Sequence, residues 1–156
     1  MPVNVQGAHL IVDVKLGNNV RIIEPVNLYG CDLGDEVQVG PFTEIQSGAV
    51  IGKRTKIQSH SFVCSLVTVG ADCFIGHGVI FTNDLMPEGP AGGDRSRWRE
   101  TLVGDRVSIG SNATILPVSI CNDVIVGAGS VVTKSITKRG VYAGNPAKFI
   151  RDRDLK

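Results

Sequence analysis

Bulky apolar residues return at every sixth position along this chain, and that period rules out most ways of folding it. The series runs Leu16, Ile22, Leu28, then Leu33, Val39, Ile45, Ile51, Ile57, Val63, Val69, Ile75 and Phe81. After a gap come Val103, Ile109, Ile115, Ile120, Val126 and Val132, eighteen positions in all. Glycine often follows, as at Gly34, Gly52, Gly70, Gly104 and Gly110, and a small or β-branched residue stands four places on, as at Thr43, Ala49, Thr55, Ser61 and Cys73. An amphipathic helix repeats near 3.6 residues and a half-buried strand every 2. A period of six fits neither. It marks a hexapeptide parallel β-helix, in which each hexad makes one short strand and one corner. Three hexads close a triangular coil, so the repeat predicts an all-β chain of about six coils with the first residue of each hexad filling the prism. A β-sandwich whose period arose by chance would not match eighteen times. The glycine after each apolar residue is read as the corner residue, because glycine takes positive φ without steric cost.

Two joints are one residue short, Leu28 to Leu33 and Ile115 to Ile120, and predict tightened corners. One joint is long, from Phe81 to Val103. Its surplus, residues 86–101, holds Pro87, Gly89, Pro90, Gly92 and Gly93, then Arg95, Arg97 and Arg99 around Trp98. A loop of that length inside a compact domain points to function or disorder. After Ile136 the period is lost, and residues 137–156 are read as a cap and tail on a single domain spanning 1–156.

Composition narrows the function. A net charge of +1 argues against a nucleic-acid surface. No apolar run reaches membrane-spanning length and no leader pattern opens the chain, so no membrane association is expected. Cys31, Cys64, Cys73 and Cys121 lack CxxC spacing, and Cys73 falls in a small inward slot. Free thiols in that setting fit a reducing cytoplasm. Only His9, His60 and His77 are available as imidazole ligands, too few at ligand spacing for a metal site.

Several segments carry a resemblance: Asn27–Cys31, Gly40–Gln46, Lys56–His60, Ile75–Asp84 (IGHGVIFTND), Val126–Lys134 and the ending Ala143-Gly144-Asn145-Pro146-Ala147-Lys148. Together they resemble the left-handed β-helix hexapeptide acyltransferases, most closely the acetyl-CoA-dependent N-acetyltransferases of nucleotide-linked amino sugars. The likeness covers nearly the whole chain. It implies a left-handed coil, a homotrimer with sites between neighbouring prisms, coenzyme A as partner, and as acceptor a nucleotide-linked amino sugar, such as a dTDP-linked 3-amino-3,6-dideoxyhexose.

The register places candidate residues. Positions 18 apart lie on adjacent coils, so Ser65 stacks beneath Asn83, at the corner where the long loop leaves, and Ser47, Ser65, Asn83 and Lys134 form a ladder along that edge. His60 and His77 share another corner. The candidate catalytic set is Asn83, Asp84, His60 and His77. Asn83 and Asp84 are expected to orient the amine or a neighbouring hydroxyl, although both residue types also serve as turn formers. A histidine is the usual general base near neutral pH, and a solvated corner or a trimer contact is the plainer role for these two. Candidate acceptor contacts are Ser65, Trp98, Arg97 and Arg99, arginine being suited to phosphate. Some relatives carry Glu at the position of Ser65, which a hydroxyl cannot replace. The resemblance sets the pantetheine against the C-terminal coils, where Ser111, Ala128, Gly129 and Lys134 lie, with Lys148 and Arg151 toward the coenzyme A phosphates. In O-acetylating relatives the catalytic histidine directly precedes the loop-opening proline; here that position is Met86. Sugar or serine O-acetylation is the alternative activity. A γ-type zinc hydratase or a purely structural β-helix follow at a distance.

Overall fold

The computed structural model describes residues 11–87, 89 and 94–154. Strands of two to four residues wind into three sheets that form the walls of a triangular prism. The first sheet stacks seven strands, from Ile11–Val12 through Asn27–Tyr29, Glu44–Ile45, Phe62–Val63, Ile80–Phe81 and Thr114–Ile115 to Val131–Val132. The second stacks six, from Lys15–Leu16 to Ser119–Ile120. The third stacks eight, beginning at Arg21–Ile22. All pairings between coils are parallel, and the register is the one the hexads predict: Ile45 beside Val63, Ile57 beside Ile75, and Phe81 beside Ile115 across the long insertion. This is the parallel β-helix read from the repeat, and its architecture fits the left hand that the resemblance implies.

The prism interior is the hexad series. Sixteen of its eighteen members are buried, while Leu16, at the lower end, is 53% exposed and Ile22 is half-buried. Buried hydroxyls at the fifth hexad position tie corners together. Thr55 Oγ1 donates to the Gly70 carbonyl at 2.8 Å, and Ser61 Oγ to that of Gly76 at 3.0 Å. Each buried oxygen is thereby partnered, as burial requires.

The corner glycines need a correction. Gly34, Gly52, Gly70 and Gly104 do not have positive φ. They are small because the next coil lies against them: a Cβ on Gly52 would fall 2.5 Å from the Gly70 carbonyl carbon, and one on Gly34 would fall 2.8 Å from the Lys53 nitrogen. The left-handed conformation falls two residues later, on side chains of every kind. Between the second and third sheets those residues are Asn19, Glu36, Arg54, Asp72, Arg106 and Asp123, with φ of 56, 58, 59, 57, 55 and 63°. Each such residue costs about 1–2 kcal/mol of backbone strain. Stacked on one another, their charges alternate from Glu36 upward. Arg54 grips Asp72 through two hydrogen bonds of 2.7 and 2.8 Å, and Arg106 grips Asp123 at 2.8 and 3.0 Å. The paired guanidinium holds each carboxyl below its ordinary range.

The coil also runs further than the period shows. Beyond Ile136, which bridges to Ile120, Gly140–Ala143 adds to the third sheet in parallel, with Tyr142 opposite Val126. Lys148–Arg151 then turns back antiparallel and sets Phe149 edge-on to Tyr142 at 5.5 Å. With Ile11–Val12 below, the first sheet is seven coils deep where six were expected.

Candidate functional site

The corner between the first and second sheets is where the chain departs into its long insertion. Stacking there follows the register: Ser47, Ser65, Asn83, Pro117 and Lys134 lie on successive coils. Asn83 Nδ2 donates to the Ser65 carbonyl at 3.1 Å, which fixes the side chain at the mouth of the loop. The returning limb is tied to the same residue, since Arg99 N donates to the Asn83 carbonyl at 2.9 Å. Asp84 accepts from the Met86 amide at 2.8 Å, so its carboxylate shapes the turn that opens the loop. Met86 itself is 57% exposed.

On the returning limb, Asp94 caps a short 3₁₀ turn, Arg95–Arg97, by accepting from Ser96 N at 2.9 Å, and it pairs with Arg97 Nε at 3.4 Å. Arg95 lies 5.3 Å from the centre of the Trp98 ring, within cation–π range. A hollow of about 480 Å³ opens here, lined by Leu85, Pro87, Ser96, Arg97, Trp98 and Arg99. The Trp98 indole N–H is buried, and among the described residues it meets no acceptor. A buried donor left unmet costs about 1–3 kcal/mol.

The histidines occupy a different corner, between the third and first sheets. His77 Nδ1 is 2.8 Å from Ser59 Oγ, and the His60 ring stacks on Phe42 with centroids 4.9 Å apart. His77 also lines a hollow of about 370 Å³ with Arg21, Gln38, Pro41 and Gln58. Within one chain the histidines therefore do not join Asn83 and Asp84. The candidate cofactor residues divide in the same way. Ser111, Ala128 and Gly129 stack above His77 and Gly78, with Gly129 N donating to the Ser111 carbonyl at 2.8 Å. Lys134 lies on the loop corner, and Lys148 and Arg151 on the exposed C-terminal strand. Among the described residues no three His, Cys, Asp or Glu side chains gather as a metal-holding group. None of the helices there is long and apolar enough to cross a membrane.

One cluster beside the loop corner was not singled out from sequence. Gln46 Nε2 donates to Glu44 Oε1 at 2.9 Å, and Gln46 Oε1 accepts from Ser65 N at 3.3 Å. Tyr29, one coil lower, sits beneath Gln46. Burial pushes its hydroxyl pKa up, and the adjacent Glu44 carboxylate adds to the shift. The signal was available, because Tyr29 stands in the segment Asn27–Cys31 and Glu44 and Gln46 in the segment Gly40–Gln46, both of which carry the resemblance. They follow no apolar period, so the hexads alone gave them no role.

Residues 101–134 match the family model described as the hexapeptide repeat of succinyl-transferase. Among curated proteins, the bifunctional protein GlmU of Carboxydothermus hydrogenoformans is 34% identical over 143 residues, covering 84% of this chain and 31% of that protein. The chain spans about a third of the length of the curated relatives it matches. Among solved structures, the polySia-specific acetyltransferase NeuO is 28% identical with a TM-score of 0.60, covering 89% of this chain and 75% of that one. A variant of perosamine N-acetyltransferase from Caulobacter crescentus, with a histidine replaced by asparagine and bound to CoA and GDP-perosamine, is 25% identical with a TM-score of 0.66. The match covers 92% of this chain and 58% of that one. The chain is thus a hexapeptide-repeat protein with the fold of these acetyltransferases.

Proposed function

We propose that this protein transfers acetyl from acetyl-CoA to the amine of a nucleotide-linked amino sugar, a dTDP-linked 3-amino-3,6-dideoxyhexose being the first to test. The observation that carries the reading is Asn83, pinned over Ser65 beneath a loop that presents Trp98, Arg97 and Arg99. The amine lone pair attacks the thioester carbonyl, the C–S bond breaks, and the proton released by the amine ends on the thiol of CoA. Only the unprotonated amine attacks, and the like charges of Arg97 and Arg99 beside the hollow favour that form. A trimer completes the site in this reading: the loop corner of one prism meets the histidine corner of the next, with the pantetheine between them along Ser111, Ala128, Gly129 and Lys134. Lys148 and Arg151 then hold the CoA phosphates. Such packing also covers Phe74 and Ile80, which are 41% and 37% exposed in the single chain.

A second reading is acetylation of a sugar hydroxyl, the fold being shared with a polysialic acid O-acetyltransferase. Against it stands Met86, a thioether where a hydroxyl nucleophile needs an adjacent base. Thiol release from acetyl-CoA decides between them when matched dTDP-, UDP- and GDP-sugars are offered with either an amine or a hydroxyl at the acceptor carbon. The amine sugars should turn over faster. Faster turnover of the hydroxyl sugars would promote the second reading, and no thiol release with any of them would remove both.

A further inference from the structure

Below Asn83, on the outer face of the first sheet, the polar cluster Tyr29, Glu44 and Gln46 continues the loop corner toward the N-terminal coils. The contacts are continuous. Asn83 holds the Ser65 carbonyl, Gln46 holds the Ser65 amide, and Glu44 holds Gln46. All three cluster residues are half-buried. Glu44 lies two strands below Ile80 in the same sheet, roughly 10 Å at the usual strand spacing. Arg95 of the loop reaches close enough to act electrostatically on the Tyr29 hydroxyl, so the basic limb passes near the lower end of this track.

We infer that Tyr29, Glu44 and Gln46 form the nucleobase subsite of the acceptor, with Glu44 selecting bases that carry a ring N–H. The inference rests on the reading of the acceptor as a nucleotide-linked sugar. With the sugar at Asn83 and the diphosphate against the loop arginines, the base falls two coils lower. A carboxylate only accepts hydrogen bonds and has about four lone-pair directions across its two oxygens, so Glu44 keeps acceptor capacity beyond Gln46 and Tyr29. Uracil, thymine and guanine offer a ring N–H flanked by a carbonyl, which suits a carboxylate beside an amide N–H. Adenine and cytosine turn a ring-nitrogen lone pair toward the same carboxylate, and the two repel. The Tyr29 ring supplies a face for stacking, which every base accepts.

The test is calorimetric titration of UDP, dTDP, GDP, ADP and CDP into the full-length protein held at saturating coenzyme A, which blocks the cofactor's own adenine site. UDP, dTDP or GDP should bind at least about tenfold tighter than ADP and CDP. Glu44→Gln should bring that ratio close to one, because the amide can donate to the ring nitrogen of adenine or cytosine. Tyr29→Ala should weaken all five. Titration of coenzyme A alone, unchanged in both variants, shows that they fold and reports on the acetyltransferase reading separately. A wild-type protein that binds no nucleoside diphosphate, or prefers ADP or CDP, overturns the inference, as does an unaltered ratio in Glu44→Gln.

Discussion

Replacing Gly52 with alanine separates close packing from backbone freedom as the reason glycine recurs at the corners. The new Cβ would lie 2.5 Å from Gly70 C, 2.6 Å from Gly70 O and 2.7 Å from Ala71 N. All three are backbone atoms of the coil above, so no side chain can swing away. Overpacking by one methyl group costs about 1–3 kcal/mol, and a backbone neighbour puts this site at the upper end. The lost freedom of the unfolded chain returns about 0.4–1 kcal/mol. The net is a loss of about 2 kcal/mol. Gly48 is the control: its φ is +81° and a Cβ there meets nothing within 4 Å. Its alanine variant carries only the left-handed penalty of about 1–2 kcal/mol, with the same offset, for a net near 0.5–1 kcal/mol. At about 2–4 °C per kcal/mol for a chain of this size, Gly52→Ala should lower Tm by about 4–8 °C and Gly48→Ala by about 1–4 °C. Both variants are melted at one protein concentration, since assembly shifts Tm. Equal shifts, or a larger one for Gly48→Ala, would refute the packing argument and restore conformational freedom as the cause.

Asn83→Ala should lower kcat/KM by on the order of 10²-fold, more than His77→Ala, in the thiol-release assay; the opposite order would move the chemistry to the histidine corner. The ion-pair ladder sets the acid limit. Asp72 and Asp123 have folded pKa values below their ordinary ones, so their contribution is present above the unfolded value near 4 and is lost as pH falls through the folded value. Denaturant midpoints should therefore drop below about pH 4, and a double Asp72→Asn, Asp123→Asn variant should show a flatter acid limb. Burial pushes the Cys31 and Cys64 thiols up to about 11. An aromatic disulfide reagent at pH 8 should thus label half-exposed Cys121 first in the native protein, with Cys31 and Cys64 reacting only on unfolding; early labelling of Cys31 would contradict the packed prism.

The hexads disclosed the prism because every inward side chain obeys one period, from Leu28 to Val132. The stacking of Ser65 under Asn83 followed from that register alone. What sequence concealed has physical causes. The last parallel strand escaped notice because Tyr142 follows Val126 by sixteen residues, which is off the hexad period. The purpose of the corner glycines was misread because coil-to-coil clearance is a three-dimensional quantity; sequence shows only that a side chain is missing. Glu44 and Gln46 were passed over because outward positions answer to partners and ligands, which impose no period.

The alternating corner carries a parity. Glu36, Arg54, Asp72, Arg106 and Asp123 meet in sequence order up the edge, each sign facing its opposite, with Arg139 acting on Asp123 from above. A solenoid of this kind grows or shrinks by whole coils. Losing a single coil from inside this run, or gaining a charged one there, would bring two like charges together, whereas adding or removing a pair of coils would keep the alternation. The edge therefore favours change in steps of two coils, and it penalises a strand that slips by one coil during folding before the interior has packed.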